Sequence, residues 1–385
     1  MRTITIVCTV IFVAFSLAYL ILFQADVMTM AQHKLSQGRT TYHVHIFSFL
    51  ITAALTVVAY ACNHYVKLPL RARALAFFPS FWGLGLLSNV NLSSLSPSAH
   101  NVGALPFLFV LLFWIGTTIL LRQIHQPKFD NTPLSQALWP NLMIIALGIN
   151  FTCLMGNTQQ NIHYELRMER LAMEEDYDRV LQIGAENPQT SRCIMVLRAY
   201  ALSRQGTLGD RLFTYPNNLS SDALLPIASD SIRPANLPAV MKEYLGGFPT
   251  HDMKATRYLQ LLTSDTLAKE PAHDYLLCAF LLDRNLDAFA DSLLSFYPPT
   301  DSIVKKEGRI TTYLPQYASL PRHYAEALLL YSRLREQPVC VLLNDEILEN
   351  YLNFSQLYHA GDAQHTEADC QSYYGNTYWN YYFFK

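Results

Sequence analysis

The chain has 385 residues, 51% of them hydrophobic and only 15% charged, a composition too apolar for one soluble domain of ordinary surface. Its formal net charge of −2 hides two opposite parts: residues 1–155 carry eight Lys and Arg against two Asp and Glu, whereas residues 156–385 carry 20 against 28. The high aromatic content excludes disorder over most of the chain. We therefore predict two domains in different solvents, a membrane domain over 1–155 and an extracytoplasmic domain over 156–385.

Five stretches of the first domain are long and apolar enough to predict transmembrane helices, since one span needs roughly 20 apolar residues. No Asp, Glu, Lys or Arg lies within any of them. Ion-coupled transporters generally need such buried charges, so this absence argues against a pump. The predicted spans are Thr3–Phe23, which is too long for a signal peptide, His45–Ala61, Leu75–Leu92, Leu105–Leu121 and Leu138–Met155.

The loop charges predict an orientation, because Lys and Arg in short loops favour the cytoplasmic side. A cytoplasmic N-terminus puts six basic residues inside and only Lys34 and Arg39 outside. The six inner residues are Arg2, Lys67, Arg71, Arg73, Arg122 and Lys128. Five spans then place residues 156–385 in the periplasm. We expect a multi-pass protein of the inner (cytoplasmic) membrane, with membrane lipid as one partner.

The first outer loop, residues 24–43, is the polar segment of this domain that suggests chemistry. Asp26 lies one turn beyond the first span, where multi-pass glycosyltransferases with lipid-linked sugar donors place a catalytic carboxylate. Such a carboxylate can act as a general base, and His33 could support it. The alternative is an amphipathic helix at the interface, with Val27, Met28 and Leu35 among the side chains that dip into lipid.

From His163 onward the periodicity is typical of soluble helix pairs. The polar turn Asp176-Tyr177-Asp178 is matched 109 residues later by Asn285-Leu286-Asp287, and Pro188 is matched by Pro298. Short helices with a polar turn and a closing proline are similar to tetratricopeptide repeats. The predicted fold class is therefore all-α, a bundle of about five transmembrane helices followed by a degenerate helical-repeat domain. Stacked helix pairs commonly bind peptides, so a protein partner is expected.

Two further segments of this domain suggest contacts. Residues 214–238 form a long predicted loop, and long loops are often functional. The C-terminal tail is aromatic, and we predict that it docks against the bilayer surface or the repeat core. A binding platform for sugars or peptides is the alternative. The candidate interaction residues of the tail are Tyr378, Trp379, Tyr381 and Tyr382.

Residues 359–370 contain side chains of the types that bind metals, but their spacing matches no zinc signature. We predict a solvated polar loop there, and no metal ion, cofactor or nucleic-acid partner for the chain. Cysteines of the second domain could form one or two disulfides in an oxidising compartment. The residues concerned are His359, Asp362, His365, Glu367, Asp369 and Cys370 for the loop, and Cys193, Cys278, Cys340 and Cys370 for the disulfides.

Three features carry a resemblance to known proteins: the segment from Leu22 to His33, the five-span block with its degenerate repeats, and the terminal segment from Gly375 to Tyr382. Together they resemble a family of uncharacterised multi-pass membrane proteins of Bacteroidota. The resemblance implies a cell-envelope location. It implies no assigned activity and no catalytic residues.

We therefore expect a non-enzymatic inner-membrane protein that presents its helical-repeat domain in the periplasm for protein–protein interaction or envelope assembly. The alternative is a membrane enzyme of envelope glycan or lipid assembly that uses the first outer loop near Asp26. A channel or transporter subunit is a third hypothesis.

Overall fold

The computed structural model describes residues 2–90, 102–124, 133–228, 230, 233–247, 249, 253–265, 268–299, 301–307, 310–317, 320–335, 341–342, 345–360 and 363–385. The chain divides into two compact units. The membrane unit comprises Met1–Leu166 and Ile232–Pro234, and the C-terminal unit comprises Arg167–Ser231 and Ala235–Lys385.

The membrane unit is helical. Its elements are α1 (Arg2–Ala18) with a π-helical continuation (Tyr19–Phe23), α2 (Ala25–Ser36), α3 (Val44–Val66), a 3-10 segment (Leu70–Phe77) that leads into α4 (Phe78–Ser88), α5 (Ala104–Ile124), α6 (Leu134–Met155) and the start of α7 (Gln160–Met173). Among the described residues, four helices are long and apolar enough to cross a membrane: Thr3–Phe23, Val44–Val66, Ala104–Gln123 and Leu134–Met155. These helices indicate a membrane protein.

The predicted third span, Leu75–Leu92, is not a long α-helix, so the expectation of five such helices is corrected to four. In its place the 3-10 segment Leu70–Phe77 continues into the 11-residue helix α4. Pro79 lies at the N-terminus of α4, where its missing N–H is tolerated. Further inside an α-helix the proline ring would clash with the carbonyl four residues earlier, which accounts for the change of helix type.

The 3-10 segment and α4 together form what we call the composite segment (Leu70–Ser88), which runs beside α6 in the same direction. Asn141 Nδ2 donates to Leu70 O at 2.8 Å, and Asn141 Oδ1 accepts from Ala74 N at 2.7 Å. Further along, Thr152 Oγ1 donates to Phe81 O at 3.2 Å. The 3-10 half bends at Ala72, whose φ of −119° and ψ of 17° are not helical, whereas α4 alone extends roughly 16 Å at about 1.5 Å per residue.

The helices α3 and α5 run antiparallel to the composite segment. Later residues of the composite segment bond to earlier residues of each of these helices. The hydrogen bonds that fix these directions are Arg73 Nε to Asn63 Oδ1 (3.2 Å) and Ser80 Oγ to Leu55 O (2.6 Å) on α3, and Trp114 Nε1 to Leu75 O (2.9 Å) and Trp82 Nε1 to Phe107 O (3.0 Å) on α5.

Helix α1 is parallel to the composite segment and completes the core of the membrane unit. The Phe12 ring lies 5.1 Å from the Phe81 ring in an edge-to-face arrangement, and Tyr19 Oη donates to Ser88 Oγ at 2.9 Å. Past α6, the buried ion pair of Arg233 Nη2 with Glu165 Oε2, at 2.6 Å, joins the short segment around Pro234 to α7. This pairing and the packing of α7 on α2 place the unit boundary after Leu166 rather than near residue 156.

The C-terminal unit contains most of the shorter helices. After α7 follow α8 (Tyr177–Gln182), α9 (Arg192–Arg204), α10 (Leu208–Arg211), 3-10 turns at Leu212–Thr214 and Ser221–Leu224, α11 (Leu237–Leu245), α12 (Ala255–Thr263), α13 (Pro271–Leu282), α14 (Leu286–Phe296), β1 (Asp301–Glu307), β2 (Ile310–Tyr317), α15 (Arg322–Leu334), β3 (Val341–Leu342), α16 (Asp345–Ala360), α17 (Ala363–Tyr374) and α18 (Tyr378–Phe384).

Helices dominate both units, as the all-α prediction required, but the C-terminal unit adds a small sheet. Its order is β1-β2-β3, with β1 and β2 antiparallel and β2 and β3 parallel. The sequence signal was present, because Ile303, Val304 and the run from Ile310 to Tyr313 are β-branched or aromatic residues. The two runs lie in β1 and β2, which pair from Asp301 with Gln316 to Glu307 with Ile310.

The two matched polar turns have the same backbone geometry. Glu175 and Arg284 adopt positive φ angles of 58° and 56°. The following residues, Asp176 and Asn285, cap α8 and α14 by accepting from the backbone N–H three residues later, at 3.2 and 3.1 Å. The capped helices differ in length, with 6 and 11 residues. The two segments are therefore alike in the turn and the cap before the helix, and not in the helix itself.

The helices α9 and α13 form the centre of the C-terminal unit. Every residue from Cys193 to Leu202 and from Tyr275 to Leu282 is buried, so neither helix keeps a solvent face. The predicted loop 214–238 is packed against this centre: Ser221 donates through Oγ to Asp283 Oδ2 at 2.7 Å, and Leu224 is fully buried. The loop is thus part of the core.

The prediction of a polar loop over residues 359–370 is wrong for its second half, where α17 begins at Ala363. His359 lies in α16, and Glu367, Asp369 and Cys370 lie in α17, while Asp362 lies outside the described residues. Cys8, Cys62, Cys153, Cys278 and Cys370 form no disulfide in this structure, and Cys340 lies outside the described residues.

The packing of α6 on α4 generates a test. A Cβ at Gly148 would lie 2.5 Å from Phe81 Cδ2, too close for any relaxed contact. We expect Gly148→Ala to destabilise the membrane unit by about 1–3 kcal/mol, measured as a lower unfolding temperature of the detergent-solubilised protein.

Gly116→Ala in α5 is the matched control for that substitution, because nothing lies within 4 Å of a Cβ there. Equal unfolding temperatures for the two variants would contradict the contact between α4 and α6.

Candidate functional site

The predicted catalytic pair lies on α2. Asp26 and His33 are both half-buried. Seven residues of α-helix separate their Cα atoms by about 10 Å, too far for the imidazole to orient the carboxylate directly. Of the side chains that the interfacial alternative places in lipid, Val27 packs with Met30 against α7 within the protein, whereas Leu35 is 84% exposed. The geometry of α2 thus does not bring the Asp26 carboxylate and the His33 imidazole together.

The aromatic tail, helix α18, docks against helices of its own unit. Tyr378 Oη donates to Leu281 O at 3.2 Å, and Tyr381 Oη donates to Leu282 O at 2.9 Å, both at the C-terminus of α13. The carbonyl of Tyr382 accepts from Arg284 at 3.2 Å. Of the two docking places predicted for the tail, these bonds lie on the helical core. The tail residues are therefore mainly structural, with Trp379 as the exception.

Trp379 lines a cavity of about 490 Å³ in the C-terminal unit, within the usual range for small-molecule sites. Side chains of α10, α15, α16, α17 and α18 surround it. We call its buried residues, Glu326, Thr377 and Trp379, the cavity floor. Its exposed residues, Glu346, Asn350, Tyr373 and Asn376, form the cavity rim.

Hydrogen bonds hold Glu326 in one orientation on the cavity floor. Its Oε1 accepts from Arg322 Nε at 2.8 Å, one helical turn away on α15. Its Oε2 accepts from the backbone N–H of Tyr378 at 2.7 Å, at the start of α18. The backbone N–H of Arg322 in turn donates to Asp210 Oδ1 at 2.7 Å. The charged groups of the cavity are therefore preorganised by α15 and its neighbours.

The lining contains, among the described residues, more acidic than basic side chains, namely Asp210, Glu326 and Glu346 compared with Arg322 alone. Burial raises the pKa of Glu326 to about 7, although the Tyr378 N–H and the Arg322 guanidinium both act to lower it. The adjacent His323 adds no positive charge, because burial lowers its pKa to about 3. The cavity thus favours neutral or cationic ligand groups, and Glu326 can exchange a proton near neutral pH.

Trp379 forms the aromatic base of the cavity. The residue is 1% exposed, and its ring packs 5.4 Å from Tyr351 and 6.1 Å from Phe354. Its Nε1 is fully buried and finds no acceptor among the residues that the structure describes, at a cost of roughly 1–3 kcal/mol. Because this atom has almost no accessible surface, a ligand in the cavity meets the rim side chains rather than the indole N–H.

The sequence predicted one of these residues, Trp379, and missed the others. A signal for Arg322 and Glu326 existed, because the two charges are four residues apart on a helix that otherwise shows an apolar stripe. The rim residues Glu346 and Asn350 share that spacing on α16. Their convergence on one cavity depends on tertiary packing, which this spacing does not encode.

The raised pKa of Glu326 generates a test. The folded state binds this proton more tightly than the unfolded chain, so the stabilisation is complete below the unfolded pKa near 4.5 and is lost as pH rises through about 7. Gln stays neutral throughout. We expect the free energy of unfolding of Glu326→Gln, relative to that of the unsubstituted protein, to rise between pH 5 and pH 8 by on the order of 3 kcal/mol at most. The measurement is the difference between the unfolding temperatures of the two proteins at each pH.

Glu349→Gln, which changes an exposed carboxylate of α16, serves as the control and should keep a constant difference over the same pH range. A constant difference for Glu326→Gln as well would show that Glu326 ionises like an exposed carboxyl.

Comparisons with known proteins identify a family without identifying an activity. The family described as a family of unknown function, DUF6057, matches residues 1–245 and 241–385, so the match extends over the whole chain. A search of curated proteins found no match, and neither did a search of solved structures. By the match over both its membrane unit and its C-terminal unit, the chain belongs to the DUF6057 family of unknown function.

Proposed function

We propose that the chain is a multi-pass inner-membrane protein that presents its C-terminal unit in the periplasm and binds a component of the cell envelope there. The cavity around Glu326 and Trp379 is the observation that carries the proposal. It combines a floor carboxyl group held by two hydrogen bonds with exposed amide and aromatic side chains at its rim. Preorganised groups of this kind are typical of binding sites.

The periplasmic placement is supported by the directions of the elements in the membrane unit. In this proposal the composite segment supplies a fifth crossing, since it follows α3 and precedes α5 in the chain and bonds along both. The five elements then alternate in direction. The basic residues Arg71 and Arg73 at the start of the composite segment and Arg122 near the end of α5 favour the cytoplasmic side.

Binding has more support than catalysis in the first outer loop. The enzyme hypothesis gave the Asp26 carboxylate support from His33, but the two residues are two helical turns apart on α2. The exposed rim residues Glu346, Asn350 and Tyr373 instead provide an accessible approach to the cavity. The helix pairs of the C-terminal unit act, in this proposal, as the scaffold that holds the cavity.

Reporter fusions test the topology. Alkaline phosphatase is active only outside the cytoplasm, so we expect activity for fusions after Lys385 and none for fusions after Lys67 or Lys128. Green fluorescent protein should give the reverse pattern. A fluorescent, phosphatase-inactive fusion at Lys385 would contradict the periplasmic placement.

Site-specific photocrosslinking in intact cells tests the binding function. With p-benzoylphenylalanine at the rim position Tyr373, which is 74% exposed, we expect adducts of higher mass on electrophoresis after irradiation. The control position is Leu261 on α12, which is 45% exposed and does not line the cavity.

The adducts at Tyr373 should weaken when Asn350 is replaced by Ala, since that change removes an exposed hydrogen-bonding amide of the cavity rim. Equal labelling at Tyr373 and Leu261, or none at either position, would contradict the proposal.

A further inference from the structure

We infer that the cavity of the C-terminal unit binds an uncharged or amino sugar unit of a glycan. This inference rests on the proposed binding function and names its ligand class. It follows from three properties of the lining: the mixture of hydrogen-bond donors and acceptors, the exposed aromatic ring at the rim, and the excess of carboxylates over cations.

The hydrogen-bonding groups match a ligand rich in hydroxyls. Glu346 accepts, and the amides of Asn350 and Asn376 both donate and accept. A hydroxyl group can donate and accept at once, so a sugar ring can use all of these groups without leaving one unpaired. A ligand that only accepts would face the carboxylates, and an apolar ligand would leave the polar lining unsatisfied.

The rim also provides an apolar face of the right kind. Tyr373 is 74% exposed although it is a large aromatic side chain. The C–H face of a sugar ring is flat and apolar, and packing it on an aromatic ring removes apolar surface from water while the hydroxyls at the ring edge stay hydrogen-bonded. Tyr373 beside Asn376 therefore combines the stacking and hydrogen-bonding contacts that one sugar ring needs.

The charge of the lining narrows the class of sugar. With Asp210, Glu326 and Glu346 against Arg322, a phosphate, sulfate or uronate would meet repulsion in a site partly shielded from water. An amino group, in contrast, would be attracted by Glu346 at the rim. We therefore expect glucosamine and N-acetylglucosamine oligomers to bind, and glucuronic acid to be rejected.

Titration calorimetry on the full-length protein in detergent tests the inference. The probes are glucosamine, the N-acetylglucosamine trimer, glucuronic acid and spermidine, a polyamine without hydroxyl groups. We expect the first two to bind, and glucuronic acid and spermidine to bind at least about tenfold more weakly, which corresponds to 1.4 kcal/mol.

Variants of the lining test the location of the site. Tyr373→Ala removes the exposed aromatic ring of the rim, and should weaken the trimer about tenfold, the cost of one aromatic stacking contact. The matched control is Tyr65→Ala, since Tyr65 is also 74% exposed but lies on α3 of the membrane unit. Glu346→Gln changes an exposed rim residue without disturbing the core. It should weaken glucosamine about fivefold and leave the trimer unchanged.

The outcomes separate this inference from the proposed function. The sugar assignment is overturned if no sugar binds to the folded protein, if spermidine binds more tightly than glucosamine, or if glucuronic acid binds as tightly as glucosamine. It is also overturned if Tyr373→Ala and Tyr65→Ala have equal affinities for the trimer. Crosslinking at Tyr373 would in those cases still support a binding site for another ligand class. Failure of both experiments would reject the site itself.

Discussion

The C-terminal unit depends on the two hydrogen bonds of Glu326. One carboxylate oxygen is held by Arg322 on the same helix, and the other by the backbone of Tyr378, which begins the last helix. Without that carboxyl group, the N-terminus of α18 would lose a buried acceptor, and the tail that closes the cavity would lose its link to α15. Burial raises the pKa of this carboxyl group although both bonds act to lower it, so the residue that stabilises the cavity also determines its electrostatic character.

A different constraint acts in the membrane unit, where backbone groups must find partners without water. The composite segment around Pro79 would leave such groups unpaired, and neighbouring side chains satisfy several of them. Asn141 pairs with both Leu70 and Ala74, and Trp114 donates to Leu75. The side chains of Asn141 and Trp114 therefore allow a segment with a 3-10 half to lie among long helices.

The sequence predicted what composition and periodicity encode. The four long apolar helices and the two capped corners before α8 and α14 were recognised because their signals lie within a few residues of each other. The hairpin of β1 and β2 and the 3-10 half of the composite segment were missed because their signals are short. The cavity could not be predicted, since Asp210, Arg322, Glu346 and Trp379 meet only through the packing of four helices that are distant in the sequence.

The central claim is that this cavity holds a sugar unit of a glycan. A structure of the full-length protein with the N-acetylglucosamine trimer, by crystallography or electron microscopy, tests it most directly. The account predicts one ring in the cavity, with a ring face on Tyr373 and an oxygen within hydrogen-bond distance of the Asn350 or Asn376 amide. An empty cavity at saturating trimer, or a trimer bound elsewhere on the C-terminal unit, would contradict the account.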